Sequence, residues 1–123
     1  MRVVVTAQQP RLDSLVDARF GRAACFVVVD TDTMEHRVVE NNLNAPGGAG
    51  IGAGKTVIDT GAKVLLTGNC GPNAFRTLRA GGVEIYTGLT GTVRQAVEQY
   101  KVGRLTPAVD PSVQTHAGTG PQS

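Results

Sequence analysis

Cys70 sits in the tract Gly68-Asn69-Cys70-Gly71-Pro72-Asn73, between the apolar run Val64-Leu65-Leu66 and a segment carrying Ala74, Phe75 and Leu78. A loop that leaves a buried strand and opens a helix gathers unpaired backbone N–H groups and the positive end of the helix dipole. Such a place suits an anion. It also lowers the pKa of a thiol and raises its thiolate fraction. The tract therefore offers backbone donors at Gly68, Asn69, Gly71 and Asn73, a thiolate at Cys70, and the guanidinium of Arg76 to one ligand. The plain alternative is an inert thiol.

A second Gly-rich tract, Ala49–Thr56 (AGIGAGKT), nearly spells a phosphate-binding P-loop. The pattern requires Gly where this chain has Ala49. A P-loop also follows a buried strand, whereas the residues before Ala49 are polar and broken. No later strand ends in an Asp suited to hold Mg²⁺. The tract reads better as a second glycine-rich helix start, with Gly48 and Gly50 as anion-facing positions.

Other chemistry-bearing residues stand alone. Cys25 follows Phe20-Gly21-Arg22 and reads either as a small buried apolar residue or as a metal ligand. His36 lies in a strand-like stretch, and His116 near the C-terminus is a candidate ligand. The two cysteines do not form a paired CxxC zinc pattern. The acids are scattered; there is no HExxH and no Gly-x-Ser-x-Gly elbow.

These residues need a scaffold, and 123 residues provide for one domain. The hydrophobic share of 41% is ordinary for a single core. Aromatics make up only 4% and Trp is absent, which leaves little to stack on bases. The net charge of +2 is mild, so no nucleic-acid partner is expected. Nine of the basic residues are Arg, the side chain suited to multidentate anion contacts. No apolar run approaches about 18 residues, so no membrane partner is expected and the expected location is the cytoplasm.

Strands are expected at Arg2–Thr6, Cys25–Asp30 and His36–Glu40, the last two forming an antiparallel hairpin. Between the first two, a polar loop brings Leu12, Leu15 and Phe20 back to the core. Then come a helix at Ile51–Thr60, a strand at Ala62–Thr67, a helix at Asn73–Ala80 ended by Gly81, and a strand at Val83–Thr87. Asn73 serves as N-cap or first-turn residue. Val93, Ala96, Val97 and Tyr100 give the last helix one apolar face, Thr92 with Gln95 forms a capping box, and Gly103 ends it. This makes residues 1–105 one α/β domain and 106–123 a flexible tail poor in large apolar residues.

The ordered set of motifs resembles a known family. Leu12-Asp13, Phe20-Gly21-Arg22-Ala23, Phe26–Asp30, Gly47-Gly48-Ala49-Gly50-Ile51 and Gly68-Asn69-Cys70-Gly71-Pro72-Asn73-Ala74-Phe75 match, followed by Gly81-Gly82-Val83, Thr92-Val93 and Gly103-Arg104-Leu105. The chain is similar to the NifX-type nitrogenase iron–molybdenum cofactor biosynthesis domains, with the orange-protein branch of sulfate reducers. The resemblance implies a ribonuclease-H-like, three-layer α/β/α fold with a five-stranded mixed sheet and one antiparallel strand. It implies no nuclease activity, because the acidic metal cluster of true nucleases has no counterpart here. It implies instead a protein that carries a metal–sulfur cluster or its precursor, exchanged with protein donors or acceptors. In the orange-protein branch the implied cargo is a molybdenum–copper sulfide cluster, held without covalent attachment. Some relatives carry a His-rich tail, where this chain has only His116.

The expectation is thus a non-catalytic carrier of a molybdenum-containing cluster, of Fe–Mo–S or Mo–Cu–S type. Its expected contacts are Arg22, Gly48, Gly50, Gly68, Asn69, Cys70, Gly71, Asn73 and Arg76, with Cys70, Cys25 and His116 as candidate metal ligands. The rival expectations are an enzyme that binds nucleotide through residues 49–56, and a regulatory or scaffold protein whose partner is another protein.

Overall fold

Val3, Val4 and Val5 are all fully buried, which requires cover on both faces of the strand that holds them. That strand, β1 (Arg2–Ala7), is the centre of the sheet in the computed structural model, which describes residues 1–41 and 48–111. The other elements are β2 (Cys25–Asp30), β3 (His36–Glu40), α1 (Ala49–Asp59), β4 (Val64–Leu66), α2 (Pro72–Ala80), β5 (Glu84–Tyr86) and α3 (Val93–Lys101). The five strands lie in the order β3-β2-β1-β4-β5. β2 is antiparallel to both neighbours, while β1, β4 and β5 run parallel. This is the mixed sheet with one reversed strand that the resemblance implied.

Alternation along β1 divides the core. Val3, Val5 and Ala7 join Val93, Ala96 and Val97 of α3 on one face. Val4 joins Ala53 and Val57 of α1 and Ala74 and Leu78 of α2 on the other. The sheet is therefore the middle of three layers, with α3 alone on one side and α1 and α2 together on the other.

Several boundaries differ from expectation for local reasons. α1 begins at Ala49, not Ile51. α2 begins at Pro72, whose missing N–H costs nothing in a first turn; Gly71 is its N-cap and Asn73 a first-turn residue. Gly81 closes α2 at φ −86°, and the left-handed residue is Gly82 at φ 81°. Leu12 and Phe20 are buried as expected, but Leu15 is 54% exposed, because its backbone bridges to Thr92 and its side chain points outward. The chain does not leave the core at Leu105. The Ala108 N–H donates to the Ile85 carbonyl at 2.7 Å along the β5 edge, and Ala108 packs on the α1/α2 side of the core. No helix among the described residues is long and apolar enough to cross a membrane.

Candidate anion-binding cleft

α1 and α2 start side by side, because small residues let them. A Cβ on Gly50 would lie 3.4 Å from the Ala74 Cβ, and one on Gly54 would lie 2.9 Å from Thr77 Cγ2. One face of α1 is thus built from glycine so that α2 can approach. The N-cap residues are Gly48 and Gly71, which carry no side chain to accept from the first-turn N–H groups. Neither first turn contains an acid. Gly48 holds φ 98° and ψ 167°, a conformation that glycine alone adopts without strain.

Between these helix starts lies a cleft of about 260 Å³, lined by Gly21, Arg22, Ala49, Gly50, Gly71, Pro72, Asn73 and Ala74. Among the described residues, no carboxylate lines it. Two uncapped positive helix ends and one guanidinium thus face the same space, an arrangement suited to an anion larger than phosphate's single cradle requires. A larger cleft of about 440 Å³ runs along α3, but Glu98 lines it and its helix start is already capped by Thr92 and Gln95.

The outer wall of the cleft is an irregular segment, residues 18–24, held from several sides. The Asn69 N–H donates to the Ala18 carbonyl at 2.7 Å, and the Phe20 N–H donates to the Asn69 carbonyl at 3.2 Å. A Cβ on Gly68 would meet Ala18 Cα at 2.7 Å, so only glycine permits this approach. The buried Asp17 carboxylate accepts from the Arg19 N–H at 3.0 Å, with the Ala24 N–H at 3.4 Å and Arg19 Nε at 3.5 Å. Asn41 Nδ2 donates to the carbonyls of Gly21 and Ala23, both at 3.0 Å. Sequence reasoning passed over Asp17 and Asn41; their only signal is membership of a polar loop, Asp17 bonding within that loop and Asn41 reaching back 18 and 20 residues.

The structure brings Arg22, Gly50, Gly71 and Asn73 together in the cleft, with Gly48 at its α1 edge. Arg76 stands one turn along α2, where its Nη2 donates to Asn73 Oδ1 at 2.7 Å. Gly68 and Asn69 do not line the cleft; they brace its wall. Cys70 is fully buried in the core behind it. Burial pushes its thiol up to about 12, so the expected low-pKa thiolate is corrected. The helix dipole is present, but desolvation of the charged form outweighs it. Cys25 packs on the opposite face of the sheet, with α3, and its Sγ donates to the Ala7 carbonyl at 3.7 Å. Burial and, secondarily, the Asp17 charge raise its thiol pKa. The two sulfurs therefore belong to separate halves of the core and are not in a disulfide. No group of three or more His, Cys, Asp or Glu suited to a metal ion occurs among the described residues. His116 lies outside the described residues.

The P-loop-like tract has a structural explanation. Residues 49–56 are the opening turns of α1, not a loop. Gly50 and Gly54 serve the contact with α2, and Lys55 projects from an exposed position. A P-loop cradles phosphate with a loop ahead of its helix, and this tract leaves none.

Comparison with known proteins adds an independent line. The family model described as dinitrogenase iron-molybdenum cofactor matches residues 1–103. The apo orange protein of Desulfovibrio gigas is 47% identical, superposes with a TM-score of 0.87, and is aligned over 91% of this chain and 96% of that one. A Thermotoga protein of the DUF35 family is 34% identical with a TM-score of 0.74, over 97% of this chain and 98% of that one. An uncharacterised protein of Methanocaldococcus jannaschii is 23% identical over 90 residues, 70% of this chain and 76% of that protein.

Proposed function

We propose that the chain, which belongs to the dinitrogenase iron–molybdenum cofactor family, is a non-catalytic carrier for an anionic molybdenum-containing sulfide cluster. The observation that carries this reading is the cleft in which the glycine-capped starts of α1 and α2 meet beside Arg22, with no carboxylate among the described lining residues. A metal–sulfide cluster is a soft anion whose charge is spread over its sulfur surface. Backbone N–H groups and a guanidinium can hold such a surface at many points through charge-assisted hydrogen bonds. Arg76, one turn away on α2, adds positive charge at the rim.

The chemistry of the donor set favours a hydrogen-bonded cradle over metal–thiolate ligation. Cys70 is a buried, protonated thiol at neutral pH, and Cys25 is on the far side of the sheet. A carrier must also release its cargo, and many moderate contacts release more readily than several metal–sulfur bonds. The 47% identity places the orange protein among this chain's relatives, and the molybdenum–copper sulfide that the resemblance to the orange-protein branch implies is therefore our preferred cargo over an iron–molybdenum one. Protein donors and acceptors of the cluster, and a cytoplasmic place of action, belong to this reading.

The test is anaerobic reconstitution of the apoprotein with tetrathiomolybdate, with and without copper(I), followed by gel filtration and elemental analysis. Molybdenum co-eluting with the protein, with visible charge-transfer absorption, is the expected result. A protein that elutes colourless and free of molybdenum contradicts the reading.

A further inference from the structure

We infer that Asn41 and Asp17 are positioning residues that clamp the 19–24 segment so that Arg22 and Gly21 form a preorganised wall of the cleft. The inference rests on the proposed carrier function and extends it to residues that touch no cargo. The two side chains divide the work by chemistry. Asp17 can only accept, and it takes backbone N–H groups, of Arg19 and of Ala24. Asn41 presents its amide nitrogen to backbone carbonyls, of Gly21 and of Ala23. The orientation of that amide is fixed because both neighbours are acceptors; turned over, it would set oxygen against oxygen.

Strand register explains how Asn41 arrives there. Glu40 at the end of β3 pairs with Cys25 at the start of β2, so the next residue, Asn41, stands beside Ala24. Asp17 is anchored from the other side: its N–H donates to the Thr6 carbonyl at 2.9 Å, and its own carbonyl accepts from Thr6 Oγ1 at 2.8 Å. A segment without a ladder has no regular partners for its backbone groups, so side chains must supply them. Here they supply both kinds.

Asn41 is held in an arrangement that costs something. Its Oδ1 is buried with no hydrogen-bond partner among the described residues. An unsatisfied buried acceptor is unfavourable, and an apolar residue of similar size would avoid it. What the Asn side chain contributes in exchange is the pair of bonds that hold the Gly21–Ala23 turn. Gly21 then fits against α1 so closely that a Cβ would lie 3.2 Å from the Gly50 nitrogen. Arg22, the one cation among the described residues of the cleft lining, sits between the two carbonyls that Asn41 grips. Fixing that turn fixes where the guanidinium starts from, which lowers the ordering cost of binding.

The test combines a cargo-free readout with a binding cycle, using Asn41→Ala, Asn41→Asp, Arg22→Ala and the Asn41→Ala/Arg22→Ala double variant. Native-state amide exchange in the apoprotein should quicken at Arg19, Phe20 and Ala24 in Asn41→Ala while α3 amides stay unchanged. Thiomolybdate–copper affinity should fall about tenfold or more in Asn41→Ala, the scale seen when outer-shell partners are lost. Asn41→Asp, which faces two carbonyls with a carboxylate, should fall at least as far. In the Arg22→Ala background the Asn41→Ala step should have little further effect, because the residue acts through Arg22. Additive losses in the cycle, or unchanged exchange at those amides, overturn the inference while leaving the carrier function standing. A wild-type protein that takes up no thiomolybdate overturns the carrier function instead, and the exchange arm alone then decides whether the clamp exists.

Discussion

Gly50 on α1 and Ala74 on α2 are in contact range: a side-chain carbon built on Gly50 would sit 3.4 Å from the Ala74 Cβ. This single spacing sets two helix starts beside each other and leaves both first turns facing one cleft. Glycine at both N-caps keeps those turns open to a ligand, at the cost of the side-chain caps that would otherwise stabilise them.

That trade makes Gly71→Ser informative. Gly71 has φ −73° and ψ 172°, an extended conformation that serine adopts easily at an N-cap. The new hydroxyl should accept from the first-turn N–H groups and raise stability by a few tenths of a kcal/mol. The same contact competes with an anion for those donors. Thermal melting should therefore hold or rise slightly while thiomolybdate uptake falls, and parallel losses of both would point to simple disruption.

Gly68→Ala should behave differently. Its Cβ would meet Ala18 Cα at 2.7 Å and the Ala18 carbonyl oxygen at 2.8 Å, both of them backbone atoms that yield poorly. The expected cost is about 1–3 kcal/mol, read from urea unfolding. The displaced 18–24 wall should also weaken cargo binding. A neutral Gly68→Ala would mean that this approach is not tight in solution.

Burial raises the Cys70 thiol from 9.0 to about 12, and the sign of its pH effect follows. The unfolded chain releases this proton near its ordinary pKa, while the folded chain keeps it to higher pH. The stabilising contribution is thus complete below about 9 and is lost as pH rises toward 12. Cys70 should also resist a maleimide at pH 8 until the protein is unfolded in denaturant. Rapid labelling of the native protein at Cys70 would show an accessible thiolate.

Much of the fold was readable because its signals are local. Val3-Val4-Val5, the Cys25–Glu40 hairpin and the helix start at Thr92 with Gln95 all announce themselves within a few residues. The two glycine-rich helix starts were also readable, and they do converge. The state of Cys70 was not, because its neighbours come from distant parts of the chain and their burial outweighs the dipole that sequence position suggested. Gly68 and Asn69 were misplaced for a similar reason. A Gly-rich tract says that backbone comes close to something, and here that something is Ala18. The side chains of Asp17 and Asn41 act across chain separations of 2–20 residues on a turn with no periodicity, so no pattern marked them.

The capping box offers a control remote from the cleft. The Gln95 N–H donates to Thr92 Oγ1 at 3.1 Å, and the Thr92 N–H donates to Gln95 Oε1 at 2.9 Å. Thr92→Ala should cost about 1 kcal/mol of stability. Cargo uptake by the folded protein should be unchanged, since α3 covers the opposite face of the sheet.

The most direct measurement is molybdenum retained per chain after anaerobic loading with tetrathiomolybdate and copper(I) and gel filtration, compared between wild type and Cys70→Ser. A cradle of backbone N–H groups and Arg22 predicts bound molybdenum in both, with similar visible spectra. Molybdenum absent from both, or held by the wild type and lost entirely from a folded Cys70→Ser protein, would contradict it.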